Sequence, residues 1–538
     1  MKINEFELIA LNILKNGIKN SDDLDSAKRE ISKKEKIKIP TNTELLEAYH
    51  KLVKNKRLKT NANLEFILRK KKIRSLSGIV NVSVLTKPYP CPGKCIYCPS
   101  QSGIPKSYMA KEPAVQRAIL NNFDPFRQVK TRLEALQKIG HPTDKIELRI
   151  IGGTWSYYPK KYQIWFIKRC FEASNEQSGK RKAKNAKQQR RIKNLKIEQK
   201  QNEKAKNRII GITIETRQDY INEKEIKTLR DLGVTRVELG AQSVYDDVLK
   251  LNKRGHDVAT TIKATKMLKD AGFKVAYQMM PNLPGSNFKK DIAMFKELFS
   301  NPNFKPDLLK IYPLALIKNS VLYKKYGKKF KTYPQKKLAR LLIEIKKQIP
   351  YWCRIQRIIR DIPSKDIVSG GAKISNLREI IQQEMKKQGI KCKCIRCREV
   401  KENYNPKEKI YLFREDYEAS EGKEIFLSYE NKTRTQLYSL LRLRIPSPSE
   451  HCVLPVLKNV AIIREVHTYG QLLPIADRDR ISVGSPQHRG MGKQLIREAE
   501  KIAKQEFKLK KIAVISGIGA REYYRKLGYK LKDTYMVK

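Results

Sequence analysis

Three cysteines in the stretch KPYPCPGKCIYCPS, Cys91, Cys95 and Cys98, stand as C-x3-C-x2-C on a loop just after an apolar run. Three thiolates on so short a loop can hold three irons of a [4Fe–4S] cluster and leave the fourth without a protein ligand. An iron left open in this way can chelate the amino and carboxylate groups of S-adenosylmethionine. An electron from the cluster then cleaves the sulfonium to a 5′-deoxyadenosyl radical. A zinc knuckle short of its fourth ligand and a four-cysteine cluster are the other chemistries this spacing allows.

Two further constellations could do chemistry. Near the C-terminus, SPQHRGMGKQLIREAEKIA has the form Q-x-x-G-x-G, with Gln487, Arg489, Gly490, Met491, Gly492 and Lys493 leading into an amphipathic helix. Glycines and open backbone N–H groups at a helix N-terminus can cradle a pyrophosphate, helped by the helix dipole; a simple tight turn is the alternative. A second cysteine run, Cys392, Cys394 and Cys397, is spaced for a metal. The remaining cysteines, Cys170, Cys353 and Cys452, are single and suit buried thiols. Nine cysteines, an odd number, without a secretory start argue against a disulfide framework.

The elements that must position these groups follow from periodicity. Between about 79 and 313, six β-rich runs alternate with amphipathic helical stretches: 78–86, 145–153, 208–216, 235–243, 273–281 and 307–315. This alternation predicts a parallel βα array, a partial or full barrel within 78–330, with ligands at the C-terminal strand ends. Gly152-Gly153-Thr154, Glu215-Thr216-Arg217 and Gln242-Ser243 fall there. Residues 1–77 read as a small basic helical region, ending in the run RKKKIR at 69–74, either an arm for phosphates or a solvated helical face. Residues 180–208 carry 13 basic and 2 acidic side chains and read as an inserted basic excursion, solvated or in contact with RNA. Residues 331–407 form a linker holding the second cysteine run. Residues 408–538 change style to a mixed α/β domain of their own.

Across 538 residues, 114 Lys and Arg against 55 Asp and Glu give a net charge of +59. A polyanionic partner is the natural inference, with a lysine-rich proteome or a salty cytoplasm as the bland alternative. No apolar run is long enough to span a bilayer, and the start MKINEFELIA lacks the order of a signal peptide, so a soluble cytoplasmic protein without a membrane role is expected.

The first cysteine motif resembles that of the radical SAM superfamily. Gly152-Gly153-Thr154 resembles its glycine motif, and Glu215, Gln242 and Ser243 resemble the polar residues that contact S-adenosylmethionine at later strand ends. The Gln487–Lys493 loop, with its flanking strands and the helix REYYRKLG, resembles the acetyl-CoA site of GNAT acetyltransferases. That resemblance places Tyr523 or Tyr524 near the CoA sulfur or acyl group. Both halves together, with YCP at 97–99, EPAVQRA at 112–118, IETRQDY at 214–220, MMPNLPG at 279–285, KIYP at 310–313, CIRCREV at 394–400, REVHTYG at 464–470 and YYRKLGY at 523–529, resemble the catalytic subunit of Elongator and its archaeal and bacterial relatives. Gln278 and Asn282 depart from the family, which in eukaryotes carries His at the first position and commonly Asp at the second. The resemblance implies acetyl-CoA-dependent carboxymethylation at C5 of the wobble uridine of tRNA, driven by a SAM-derived radical. It also implies an electron donor for the cluster and leaves room for a homodimer or accessory subunits. Cys392, Cys394 and Cys397 resemble the family's zinc site. Zinc wants four ligands, and His467 is the first candidate for the fourth, with Cys452 or His451 second; a core or surface histidine is an equal alternative for His467. A protein lysine acetyltransferase of histone type, its iron–sulfur domain structural only, is the competing function.

Overall fold

The computed structural model describes residues 5–15, 17–70, 75–176, 194–370, 373, 376–401, 404–447, 452–470, 486–487 and 489–538. Residues 71–74 of the basic run, 180–193 of the basic segment and His451 lie outside them. The N-terminal region folds as four helices, α1 (Glu5–Lys15), α2 (Ser21–Lys34), α3 (Asn42–Lys54) and α4 (Ala62–Leu68). Capping boxes start α2 and α3: the side chains of Asn20 and Thr41 accept backbone N–H groups of the first turn, and Asp23 and Glu44 reach back. Ile9, Ile13, Leu24, Leu45 and Tyr49 form a small core of their own. Arg69 Nε donates to the Gly140 carbonyl at 2.7 Å and ties this core to the main body.

The main body holds a seven-stranded sheet in consecutive order: β1 (Val80–Leu85), β2 (Lys145–Ile151), β3 (Arg208–Thr216), β4 (Arg236–Gln242), β5 (Lys274–Met279), β6 (Leu308–Ile311) and β7 (Arg354–Arg357). Every ladder in it is parallel. Parallel neighbours in sequence order need crossovers of one hand, so the sheet curls as an open partial barrel with helices such as α5 (Lys160–Glu176) outside. Six strands lie where the apolar runs predict them. The seventh, RIQR, does not announce itself: two of its four residues are arginines, and only Ile355 is fully buried. Pairing of Leu308 with Arg354 carries the sheet past residue 330, into the segment expected to be a linker.

All seven residues of β4 are buried, including Arg236 and Glu238. Charges buried to this depth need partners. Arg236 meets Glu147 at 2.6 Å, Arg149 meets Glu238 at 3.3 Å, and Lys310 contacts both Glu215, at 2.9 Å, and Glu238. The concave face is therefore a lattice of ion pairs.

The basic segment is more ordered in its described part than its composition suggests. Helix α6 (Leu195–Asn202) packs on α5, where Asn175 Nδ2 donates to Glu198 Oε2 at 2.8 Å. Glu203 then pairs with Arg521 at 3.2 Å and Arg525 at 2.7 Å, both from the far end of the chain.

The C-terminal part is a second, mixed sheet of β8 (Ile410–Ala419), β9 (Gly422–Asn431), β10 (Leu437–Ile445), β11 (Ala461–Thr468), β12 (Ile512–Val514), β13 (Lys530–Lys532) and β14 (Tyr535–Val537), in the order β8-β9-β10-β11-β12-β14-β13. Only the β11–β12 ladder is parallel. Helix α7 (Met491–Gln505) lies within that crossover, and α8 (Arg521–Arg525) follows β12. In α7 the apolar residues Leu495, Ile496, Ala499, Ile502 and Ala503 fall on one stripe and pack on Leu427, Leu441 and Ile463.

Three buried arginines join the two sheets. Arg464 binds Asp307 at 2.5 Å and Glu424 at 2.9 Å, Arg444 binds Asp270 at 2.5 Å, and Arg442 binds Glu465 and the Trp352 carbonyl. Asp270 and Asp307 belong to the barrel half, so the two halves meet through paired charge rather than grease alone.

Candidate functional site

The cysteine loop leaves the end of β1 and folds back over the barrel mouth. Cys95 is buried, while Cys91 and Cys98 are half-buried. Arg254 Nη1 donates to Cys95 Sγ at 3.2 Å, and its Nη2 and Nε hold the Gly240 carbonyl at 2.6 and 3.2 Å. Burial pushes the Cys95 thiol up, but the Arg254 guanidinium and its hydrogen bond, with Arg217 behind, outweigh it and bring the thiol below its usual range. Burial and the neighbouring Cys95 hold Cys98 at about 11.

Gly152 and Gly153 have φ of +132° and +109° at the end of β2, where a side chain on Gly152 would meet Thr86 Oγ1 at 2.0 Å. Only glycine fits there. Thr154 Oγ1 lies 3.9 Å from Cys91 Sγ. Glu215 accepts hydrogen bonds from Tyr108 Oη at 2.7 Å, Lys310 Nζ at 2.9 Å and Gln278 Nε2 at 3.4 Å. Arg217 clamps Asp219 through Nε and Nη2 at 2.9 and 2.7 Å.

Beside the thiols Arg217 Nη1 and Gln242 Oε1 are buried with no partner within the protein. Leaving such atoms unpaired costs about 1–3 kcal/mol each. A guanidinium suits a carboxylate and an amide oxygen suits an ammonium, so the set fits the amino-acid end of S-adenosylmethionine beside a cluster. Ser243 is not part of it: its Oγ accepts the Tyr245 N–H at 3.2 Å, and it does not line the cavity behind the loop.

A cavity of about 920 Å³ opens behind the loop, a size that holds a large ligand. Cys91, Thr154, Glu215 and Gln242 line one part of it, and Glu465, Val466 and His467 of β11 line another. On the far side of β11 stands the glycine loop. Gly490, at φ +81°, precedes α7 without a side-chain cap, so the first N–H groups of the helix are open to a ligand. Arg489 and Lys493 are exposed beside it. The ideal Cβ position on Gly492 lies 3.4 Å from Tyr523 Oη and 3.6 Å from Val466 Cγ1. The ladder between β11 and β12 ends at Ile463 and Val514, which leaves the rest of β11 as an edge along which an extended ligand could lie.

The two tyrosines separate cleanly. Tyr523 is 42% exposed with its hydroxyl at the glycine loop, whereas Tyr524 is buried between the Tyr523 and Tyr529 rings, at 5.2 and 5.9 Å. Gln487 and Met491 do not face the loop. Gln487 is buried, donating to the carbonyls of Gly78 at 3.3 Å and Thr468 at 3.2 Å and accepting from Lys145 at 3.0 Å; Met491 packs in the core. The glutamine therefore ties the barrel to β11.

Cys392, Cys394 and Cys397 converge with their sulfur atoms within 4.8 Å of one another, the one such group among the described residues. His467 is not in it. The His467 ring lies 4.3 Å from that of Tyr469, and its Nε2 donates to the Ser77 carbonyl at 2.7 Å. Cys452 Sγ donates to the Leu454 carbonyl at 3.1 Å and also stays apart. With Nε2 spent on the Ser77 carbonyl, the His467 ring does not reach the thiols. The group that does reach the thiols is Lys346, whose ammonium lies 3.4 Å from Cys397 Sγ. Nothing in the sequence marks Lys346, Arg254 and Lys310 among 114 basic residues, or Tyr108 among 25 tyrosines.

Residues 88–298 match the model of the Radical SAM superfamily, and residues 306–387 match the Radical SAM C-terminal domain. A protein from Methanocaldococcus infernus named tRNA uridine(34) acetyltransferase is 48% identical over 489 residues, covering 88% of each chain. Elongator complex protein 3 of Homo sapiens is 39% identical over 487 residues, covering 88% of this chain and 86% of that one. The solved structure of the archaeal Methanocaldococcus infernus Elp3, lacking its N-terminal residues 1–46, superimposes with a TM-score of 0.72 at 42% identity, covering 86% of this chain and all of that one.

Proposed function

The chain belongs to the family of the tRNA uridine(34) acetyltransferases and Elongator complex protein 3, and we propose that it forms 5-carboxymethyluridine at the wobble position of tRNA from acetyl-CoA. The observation that carries this is the single cavity reached both by the cysteine loop and by β11, the strand against which the glycine loop packs. Membership of the Radical SAM superfamily implies a [4Fe–4S] cluster and S-adenosylmethionine. Bound at Cys91, Cys95 and Cys98, they supply a 5′-deoxyadenosyl radical able to break the strong C–H bond of an acetyl methyl. The chain's own residues do the rest. Arg217 and Gln242 offer the donor and acceptor for the amino-acid end of the cofactor, and Gly152-Gly153 lets backbone approach it. The open N–H groups after Gly490, with Arg489 and Lys493, hold the CoA pyrophosphate. Tyr523 is placed to protonate the CoA thiolate when the thioester is hydrolysed, leaving a carboxymethyl group on C5. The thiols of Cys392, Cys394 and Cys397 hold a structural zinc, and Lys346 offsets their charge.

The test is anaerobic reconstitution with S-adenosylmethionine, acetyl-CoA, reductant and tRNA, followed by nucleoside mass spectrometry. Carboxymethyluridine is expected; cleavage of S-adenosylmethionine without it would assign another substrate. Tyr523→Phe should cut product formation about 100-fold while cofactor cleavage persists.

A further inference from the structure

Tyr89, Tyr157 and Tyr220 come from the loops after β1, β2 and β3 and meet at the surface beside the cysteine loop. The Tyr157 ring lies 5.9 Å from that of Tyr89 and 5.8 Å from that of Tyr220. Stacked rings continue along α5: Tyr89 on Tyr158 at 4.8 Å, Tyr158 on Tyr162 at 5.1 Å, and Tyr162 beside Trp165 at 5.5 Å. Tyr157, Ile164 and Trp165 are 39%, 47% and 41% exposed, an apolar grouping of a kind that usually marks an interaction site. Lys87, Lys94 and Lys161 are exposed in the same segments, and the Lys87 ammonium lies 5.1 Å over the Tyr162 ring.

None of these aromatic residues lines the cavity, although Tyr89 precedes Cys91 by only two positions and Tyr157 follows Thr154 by three. The cysteine loop thus has an inner side toward the cavity and an outer side toward the aromatic patch. The inner side is committed to the cofactor and substrates. Each reductive cleavage nevertheless draws one electron into the cluster, and that electron has to enter from elsewhere.

We propose that the Tyr89–Tyr157–Trp165 patch is the docking face of a small acidic iron–sulfur electron carrier of ferredoxin type. The carrier is oxidised by one electron as the oxidised [4Fe–4S]2+ cluster becomes [4Fe–4S]+. The inference rests on Cys91, Cys95 and Cys98 being the cluster ligands. Carriers of this class are strong one-electron reductants and form small interfaces, below about 1,200 Å². Exposed rings with lysines about them suit such an interface: the rings anchor, and the lysines steer an acidic partner.

The reconstituted full-length chain is mixed with a reduced plant-type [2Fe–2S] ferredoxin, and cluster reduction is followed by stopped-flow absorbance and electron paramagnetic resonance, with dithionite in parallel. Lys161→Glu and Trp165→Ala should each slow reduction by ferredoxin about tenfold and leave reduction by dithionite unchanged, and the wild-type ferredoxin rate should fall with added salt. Unchanged ferredoxin rates overturn the proposal. Equal loss with both reductants also overturns it, making the patch a support for the loop. So does loss of tRNA binding with the ferredoxin rate intact, which would make the patch a stacking surface for bases. Failure to assemble any cluster would sink this inference along with the reading of the cysteines. A cluster that forms and is reduced, in a chain that makes no carboxymethyluridine, faults only the proposed product.

Discussion

Two groups of three cysteines serve opposite ends in this molecule. Cys91, Cys95 and Cys98 ride a loop at the mouth of a cavity, spread so that they do not all come within 4.8 Å, beside two buried arginines and polar atoms with no partner in the protein. Cys392, Cys394 and Cys397 close on one point with a single lysine at their side. A cubane spreads its thiolates over several irons, whereas a single ion draws them together. The setting of the thiols, more than their spacing, separates a reactive site from a rivet.

Four substitutions probe that contrast. Cys95→Ser carries the largest expected effect: iron content should drop and S-adenosylmethionine cleavage fall by about 1,000-fold or more. The thermal midpoint should hardly move, and a collapse of the fold would erase the distinction. Cys394→Ser reverses the pattern. The buried thiol is a proposed zinc ligand, so zinc analysis should show loss of the metal and denaturation a loss of several kcal/mol. The folded fraction should still cleave the cofactor. Lys346→Met should weaken zinc binding about 10-fold, read by competition with a chelator, since it removes the cation beside Cys397. Arg254→Met is the subtlest: loss of the hydrogen bond to Cys95 should lower the cluster's midpoint potential by tens of millivolts in a redox titration without cofactor.

Much of this was legible in the residues themselves. The strands β1 to β6 are β-branched runs between polar helices, and the cysteine spacings stand out in any chain of this length. Strands that lack an apolar run or lie at a sheet edge were hidden for a physical reason. RIQR at 354–357 has no apolar run, and IYLFREDYEA at 410–419 sits at a sheet edge whose residues stay largely in contact with water. Site details were harder. Adjacent Tyr523 and Tyr524 are chemically identical until packing buries one of them. Gln487 belongs to a glycine-loop pattern, yet it spends its amide on the carbonyls of Gly78, 409 positions away, and Thr468, 19 positions away, which only folding brings beside it. His467 is a reasonable zinc ligand by type, but in the fold its Nε2 is spent on the Ser77 carbonyl and it lines the cavity.

The buried arginines at 442, 444 and 464 have a practical corollary. Each lies on the C-terminal sheet and takes at least one partner from the barrel half. Removing one member of such a pair costs about 3–5 kcal/mol. A fragment beginning near residue 408, expressed by itself, would keep Glu424 and Glu465 but strip the three guanidinium groups of Asp307, Asp270 and the Trp352 carbonyl. The C-terminal half is thus not a portable module: its fold should hold only as part of the full chain.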